Sequence, residues 1–506
     1  MSKSVFMPFE EYKKARITFV QNVAELATRP QNIESLSSAG VMLLLRPLLL
    51  DTVPSIQQSA ALAIGRLANH SEELAESVIQ NDIISQLIAS LSNQNRFFKK
   101  AACFVLRAVS KHSPQLADDV VKSGALEPLV KCLEEFDTSV KESAAWALGY
   151  IAKHNASLAH QVVEARAIDS LVNCLSESEP SLKRAAAQTL SYICQHTEQL
   201  AQPVAECGLE NIISSLNFND IQVKRNICLL LGHITKHSYD LADQVMSKLG
   251  NPQKLLMCLK DADKTIKKNA AFCICEIVNK NSKFASDIVN NGGATFLVDF
   301  ISSVKGDIRL YGILTLGFIA AFKDDLAMTI IRAHAIGHLK DALQNEAHQH
   351  IKSAACYALG HIGRHSPEHA LEIANSNVLS IMLFYYMSPE SSDDLKEKSK
   401  QALKKIIDSC TSLSSLEPLL HLAPDKILKH LLNQFAKHLK DNKSEYKAFL
   451  SSGGLQRLQG LKKDISEPLR EKIDEINSYY PDYLVKNFSP EYATQLLNKI
   501  ENFNQD

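Results

Sequence analysis

Along most of the chain a small residue, an aliphatic residue and a second aliphatic residue recur at i, i+4 and i+7. The small column runs Ala60, Ala102, Ala144, Ala186, Ile227, Ala270, Gly312 and Ala355. Four residues later stand Ile64, Leu106, Leu148, Leu190, Leu231, Ile274, Leu316 and Leu359. Three further on are Leu67, Val109, Ile151, Ile193, Ile234, Ile277, Ile319 and Ile362. That spacing makes one apolar stripe on an α-helix, with small residues where a second helix must come close. The stretch KESAAWALGYIAKH, Lys141 to His154, is its clearest copy. Others end at His70, His112, His196, His237 and His365, with weaker ones at Lys280 and Phe322; successive copies are 42, 42, 42, 41, 43, 42 and 43 residues apart. A unit of about 40 residues is too small to bury such a stripe alone, so the period predicts a solenoid in which stacked neighbours bury it.

Each period holds more than the long helix. SPQLADDVVKSG reads as a short helix capped by Ser113 with Pro114 in its first turn, and Gly124 breaks it. ALEPLVKCL is a second helix, and a loop with Asp137 leads to the long one. Three helices per period of about 42 residues is the armadillo pattern; two-helix repeats have periods nearer 34. The predicted fold is an all-α, right-handed superhelical armadillo solenoid of about ten repeats. A left-handed turn is expected at Gly40, Gly124, Gly208, Gly292 and Gly453. It is expected to be lost around Lys248 to Pro252.

Four parts are expected: a cap helix with a polar EYKKAR lead-in and the start of the first repeat (1–30), regular repeats (31–387), degenerate shortened repeats (388–464) and an aromatic-rich helical extension (465–506). The third part opens on a polar insertion, Ser388 to Lys400; Ser409 takes the histidine place, and the next copy ends at His438.

Charge removes several classes. With 55 basic against 56 acidic residues, no global field points to nucleic acid or an anionic membrane. The longest aliphatic run, Val41 to Leu50, is interrupted by Arg46 and Pro47 and falls short of the ~20 residues a span needs. The first residues lack the pattern of a secretory signal, so a reducing, intracellular setting is expected. The 11 cysteines fit it. Cys132, Cys174 and Cys258 share one repeat position and Cys103, Cys228 and Cys356 another, as small buried hydrophobes do. Cys273 and Cys275 point to different helix faces.

Chemistry is sparse. The column His70, His112, His154, His196, His237 and His365 resembles a ligand set, but stacked helices lie ~8–10 Å apart whereas zinc needs nitrogens at ~2.0–2.1 Å. These imidazoles are expected to finish helix C-termini by bonding free carbonyls. No nucleophile and base, phosphate loop or metal motif stands out; no enzyme activity, cofactor or metal is expected. A basic column does recur: Lys99, Lys141, Lys183, Lys224, Lys267, Arg309 and Lys352, each near the start of a long helix, where a cation opposes the helix dipole. Two readings stand: solvated lysines, some paired with Asp137, Glu179, Asp220 and Asp263 four residues earlier, or a positive stripe that meets an extended acidic partner. The groove face offers Arg66, Trp146, Tyr150, Tyr192, His233, Phe318 and His361. Nuclear-import receptors of the armadillo class repeat a Trp and an Asn four residues apart; here Trp146 is the only tryptophan and no asparagine ladder follows. Tyr479, Tyr480, Tyr483, Phe488 and Tyr492 crowd the C-terminal extension as a candidate contact.

Four stretches carry a narrower resemblance: YKKARITFVQNVAELATRPQNIESL, VPSIQQSAALAIGRLA, NQNRFFKKAACFVLRAVSKHSPQLA and the late YYP at Tyr479 to Pro481. They are similar to the sperm-associated antigen six family, armadillo proteins of the central apparatus of motile cilia and flagella. The resemblance implies a structural part of the axoneme in the cytoskeleton, bound along a central-pair microtubule. Its partners would be tubulin, other central-apparatus proteins and further copies of itself. The competing expectation is a soluble adaptor for extended peptide cargo.

Overall fold

Each apolar stripe becomes a long helix because its neighbours in the stack bury it. The computed structural model describes residues 3–91, 95–441, 443–461, 465–489 and 492, and among them every regular element is helical. The chain forms two compact units, Met1–Gly250 and Asn251–Asp506. The long helices are numbered here in chain order. The first unit holds α1 (Lys3–Leu26), α2 (Pro54–Ala68), α3 (Arg96–Ser110), α4 (Thr138–Lys153), α5 (Pro180–Cys194) and α6 (Ile221–Thr235). The second holds α7 (Lys264–Lys280), α8 (Leu310–Phe322), α9 (Gln349–Ile362), α10 (Asp393–Ser409) and α11 (Asp425–Asp441). Within each unit every long helix packs on the next, and pairs of shorter helices cover most of the stack. This is an all-α armadillo-repeat fold.

The packing is legible atom by atom. Ala102, Ala144 and Ala186 of the small column, and Leu106, Leu148 and Leu190 of the aliphatic one, are fully buried. A second small register lies one residue beyond the aliphatic column: Gly65, Gly149, Ser191, Gly232, Cys275, Gly317 and Gly360, with Arg107 as its exception. A methyl group on Gly360 would stand 2.8 Å from the Ala402 Cα of the next long helix, and one on Gly317 would meet the Tyr357 ring at 2.8 Å. The register is small because the next repeat occupies the space.

Local signals start the helices. Asn95, Asp137, Asp220, Asp263 and Ser392 each accept backbone N–H bonds at the start of a long helix, and Ser113 caps its short helix as expected. This corrects the pairing expected within the repeat: Asp137 caps its helix and pairs with Arg96 at 3.2 Å, while Asp220 pairs with Arg184 at 2.8 Å. Of Ser388 to Lys400, only Ser388 to Ser392 lies between elements. Asp393 onward is the first part of α10.

The turn column needed the largest correction. Positive φ occurs at Gly40, Asp82, Gly124, Arg166, Gly250, Gly292, His334 and Asn377, one register of the repeat. Four of these are not glycine. Asn, Asp and His are the residues with a Cβ found most often in this region, so Arg166 is the least expected of the four. Gly208 has no such turn: Glu198–Ser214 runs as one continuous helix through it, and a Cβ there would meet Val172. Gly250 has φ of 63° but ψ of −53°, outside the left-handed helical region of the other turns, in keeping with the loss expected there. Ahead of the polar lead-in, Phe6, Met7 and Phe9 are exposed, as is Tyr12 within it.

The close crossing predicts a sharp contrast inside the second unit. Gly360→Ala forces a methyl group against the Ala402 backbone, and we expect a loss of about 1–3 kcal/mol in denaturant unfolding. Gly337→Ala, in the helix Ala335–Asn345 with nothing within 4 Å of the new methyl, is expected to gain about 0.5–1 kcal/mol from helix propensity.

Candidate functional site

The histidine column finishes the preceding repeat's helix, not its own. His112 Nε2 lies 2.8 Å from the Ala68 carbonyl, His154 2.6 Å from Ser110, His196 2.8 Å from Ala152, His237 2.6 Å from Cys194 and His365 2.6 Å from Ala320. Each imidazole donates to a C-terminal carbonyl left open by helix geometry, so the same bond satisfies that group and ties two repeats together. At Ser409 a hydroxyl does this, donating to the Arg364 carbonyl at 2.9 Å.

The basic column reaches the other way. Lys99 pairs with Glu135 at 2.5 Å and Lys141 with Glu177 at 2.7 Å, each glutamate standing 36 residues later. Lys267 donates to the Ser303 hydroxyl at 3.2 Å, and Lys352 to the Tyr385 hydroxyl at 2.8 Å. Lys183 is buried, donates to the Leu175 carbonyl and lies over the Phe218 ring; burial lowers its pKa. Arg309 is only 2% exposed and pairs with Asp341 at 2.8 Å and Glu346 at 3.1 Å. Lys224 is half-buried. Lys99, Lys141, Lys183, Lys267, Arg309 and Lys352 therefore each hold a partner among the described residues, and charge reversal at these positions would act on the stack first.

The inner groove is different. In the first unit, rings and cations alternate across successive long helices. Trp146 and Tyr150 stand with centroids 6.2 Å apart, and the Arg107 guanidinium lies over Phe104, Trp146 and Tyr150 at 5.9, 5.8 and 5.6 Å. Lys153 then lies over Tyr150 and Tyr192 at 5.9 and 5.7 Å. Cation–π attraction at these distances holds side chains in a row without neutralising the charge. Arg66 donates to the Ala24 carbonyl. His233 Nδ1 lies 3.0 Å from both the hydroxyl and the carbonyl oxygen of Ser191, and burial pushes its pKa down to about 4.

The second unit has its own row. Phe318 meets Tyr357 edge-on at 5.7 Å, and Tyr357 stands 4.5 Å from the His361 ring. His361, predicted to face the groove, is buried beneath it and lies 3.1 Å from the Lys405 amine. Burial first, and Lys405 second, bring its pKa to about 3. The C-terminal aromatics do not form one patch. Tyr480 is buried and stacked on Tyr446 at 4.2 Å, Tyr479 donates to Glu475, Tyr483 is exposed, and Phe488 and Tyr492 are half-buried. The rest of the expected extension, 490–491 and 493–506, lies outside the described residues. Periodicity does not single out Phe104 and Lys153 as groove residues, because their positions recur as aromatic at Trp146, Phe272 and Tyr357 and as basic at Lys111, Lys236 and Arg364; Arg107 alone of the three departs from its column of Gly, Ser and Cys.

With that geometry in place, similarity to known proteins decides the family. The chain is 51% identical over 501 residues to "Sperm-associated antigen 6" of Mus musculus, covering 99% of each chain. It is 50% identical to the Homo sapiens protein of that name, over 99% of this chain and 98% of that one. The chain belongs to the sperm-associated antigen 6 family. The Armadillo/beta-catenin-like repeat family matches at residues 113–153 and 155–195, a span that includes α4 and α5. The crystal structure of an engineered protein shares the fold, with a TM-score of 0.70 at 19% identity over 87% of this chain and 98% of that one. Membership of the sperm-associated antigen 6 family and the repeat architecture make the chain a repeat-protein scaffold, of a kind that points away from catalysis.

Burial of His233 has a pH consequence in the first unit. Its pKa falls from 6.5 to about 4 on folding, so between those values the unfolded chain binds a proton that the folded chain refuses. Stability contributed by neutral His233 is present above pH 6.5 and declines as pH drops towards 4. His233→Gln should flatten that slope, read as the difference in unfolding midpoint from wild type across the window; an unchanged slope would assign the pH dependence to other groups.

Proposed function

We propose that the chain is a non-enzymatic scaffold of the axonemal central apparatus, attached along a central-pair microtubule and supporting ciliary motility. The observation that carries this reading is 51% identity over 99% of the chain to a sperm-associated antigen of the mouse, which takes in the C-terminal helices as well as the regular repeats. Mechanistically, stacked repeats present a row of side chains spaced one repeat apart. Several weak contacts to tubulin or to other central-apparatus proteins then add through effective concentration, because a partner held at one repeat meets the next as an intramolecular event. The groove rows described above, rather than the clamped lysine column, are the surfaces assigned to those partners. Lysines already paired within the chain would have to give up Glu135 or Glu177 to bind anything else.

The competing reading, a soluble adaptor for peptide cargo, draws on the same groove. Detergent extraction of cilia separates the two. We expect the chain to stay with the microtubule bundles and to be released in part by raised salt, since exposed charge contacts are screened. Recovery in the detergent supernatant, with none on the bundles, would favour the adaptor. Lys141→Ala should leave retention unchanged and cost about 0.5–1 kcal/mol of stability, as for a partly exposed ion pair.

A further inference from the structure

Arg107 is out of place for the fold and in place for a ligand. Its register holds Gly, Ser or Cys in the other long helices α2 and α4 to α9, where the next helix crowds it. Here an arginine projects into the groove under three rings. Among the described residues no carboxylate pairs with it, and its buried Nε has no hydrogen-bond partner. Cation–π attraction to the rings holds the guanidinium in place and leaves its charge unneutralised.

The surroundings share that bias. A cavity of about 520 Å³ opens between α2, α3 and α4, lined by Arg66, Lys100 and Arg107 together with Phe97, Phe104 and Trp146. Its one acid, Glu142, accepts a bond from the Ser181 hydroxyl at 2.9 Å. Lys100 is exposed, and Phe97 is 52% exposed, a large ring left in water at the rim. Three cations against one engaged carboxylate, beside apolar walls, fit a ligand that brings both negative charge and hydrophobic surface.

We propose that this cavity docks an extended acidic segment of a partner protein, with a carboxylate set between Arg107 and Lys100 and an adjacent aromatic side chain against Phe97 and Phe104. An extended backbone puts alternate side chains on opposite faces, so an acidic residue and an aromatic one two positions away reach the same wall. The inference rests on the scaffold reading only in taking the ligand to be a protein.

The test uses the full chain and fluorescence anisotropy. The probe is a fluorescein-labelled peptide of alternating Glu and Phe units separated by Ser. A counterpart with Gln in place of Glu and a labelled oligothymidylate serve as the other arms. We expect the Glu peptide to bind, to weaken with added salt, and to bind roughly tenfold tighter than the Gln peptide. Arg107→Ser installs the residue its register carries at Ser191, and Lys100→Glu alters an exposed position. Both should weaken the Glu peptide by roughly tenfold or more while leaving the unfolding midpoint near wild type. Absent binding, equal binding of the Gln peptide, preference for oligothymidylate, or unchanged binding by Lys100→Glu would each overturn the proposal. Axoneme retention of the same variants is read separately: retention without peptide binding sinks the pocket and leaves the scaffold, and loss of retention in wild type does the reverse.

Discussion

Everything in either unit depends on how closely one long helix approaches the next. The approach is set by small residues, Gly317 under Tyr357 and Gly360 under Ala402, where even one added carbon meets the neighbouring helix at 2.8 Å. At that separation a histidine ring at the end of one helix reaches the open carbonyl of the helix before it, and a lysine near the start reaches a glutamate in the repeat after it. The two contacts run in opposite directions along the stack. Repeats that carry both contacts, such as the one with Lys141 and His154, are therefore fastened at both ends of the long helix as well as through the apolar stripe, and repeat stability belongs mostly to the interfaces.

That logic explains why the fold was legible and its connections were not. A stripe at i, i+4 and i+7 repeated about every 42 residues leaves little choice of architecture, and Ala144, Leu148 and Ile151 are buried as that pattern requires. Periodicity reports which residues share a position. It does not report which repeat a polar side chain will reach for. His154 was expected to finish its own helix and instead bonds Ser110; Lys141 was weighed against Asp137 and instead bonds Glu177. In both cases the nearer group is engaged elsewhere: Asp137 caps its own helix, and the Ala152 carbonyl is taken by His196 of the next repeat.

The turn register shows the complementary limit. Where the first two short helices of a repeat fold back on each other, the position takes a left-handed turn with or without a glycine. Glycine advertises the turn at Gly124 and Gly292, yet Arg166 and His334 adopt it without advertising it. At Gly208 the reverse occurs. The glycine is kept because Val172 leaves no room for a side chain, while the helix passes straight through. Residue identity alone cannot separate these two reasons for a glycine; the packing around it does.

Neighbour packing also sorts the charges by use. A chain with 55 basic and 56 acidic residues consumes much of that charge internally, in caps, clamps and buried pairs such as Arg309 with Glu346. Of the cations that remain in the groove over their rings, Lys153 keeps a position that is also basic at Lys111, Lys236 and Arg364, and Arg107 departs from the repeat's own consensus. This follows from the construction. A residue that obeys the repeat is answerable to the repeats on either side, and changing it disturbs an interface that recurs along the stack. Only positions outside that obligation are free to vary with a ligand, so in a repeat solenoid the exceptions to the pattern are where specificity is found.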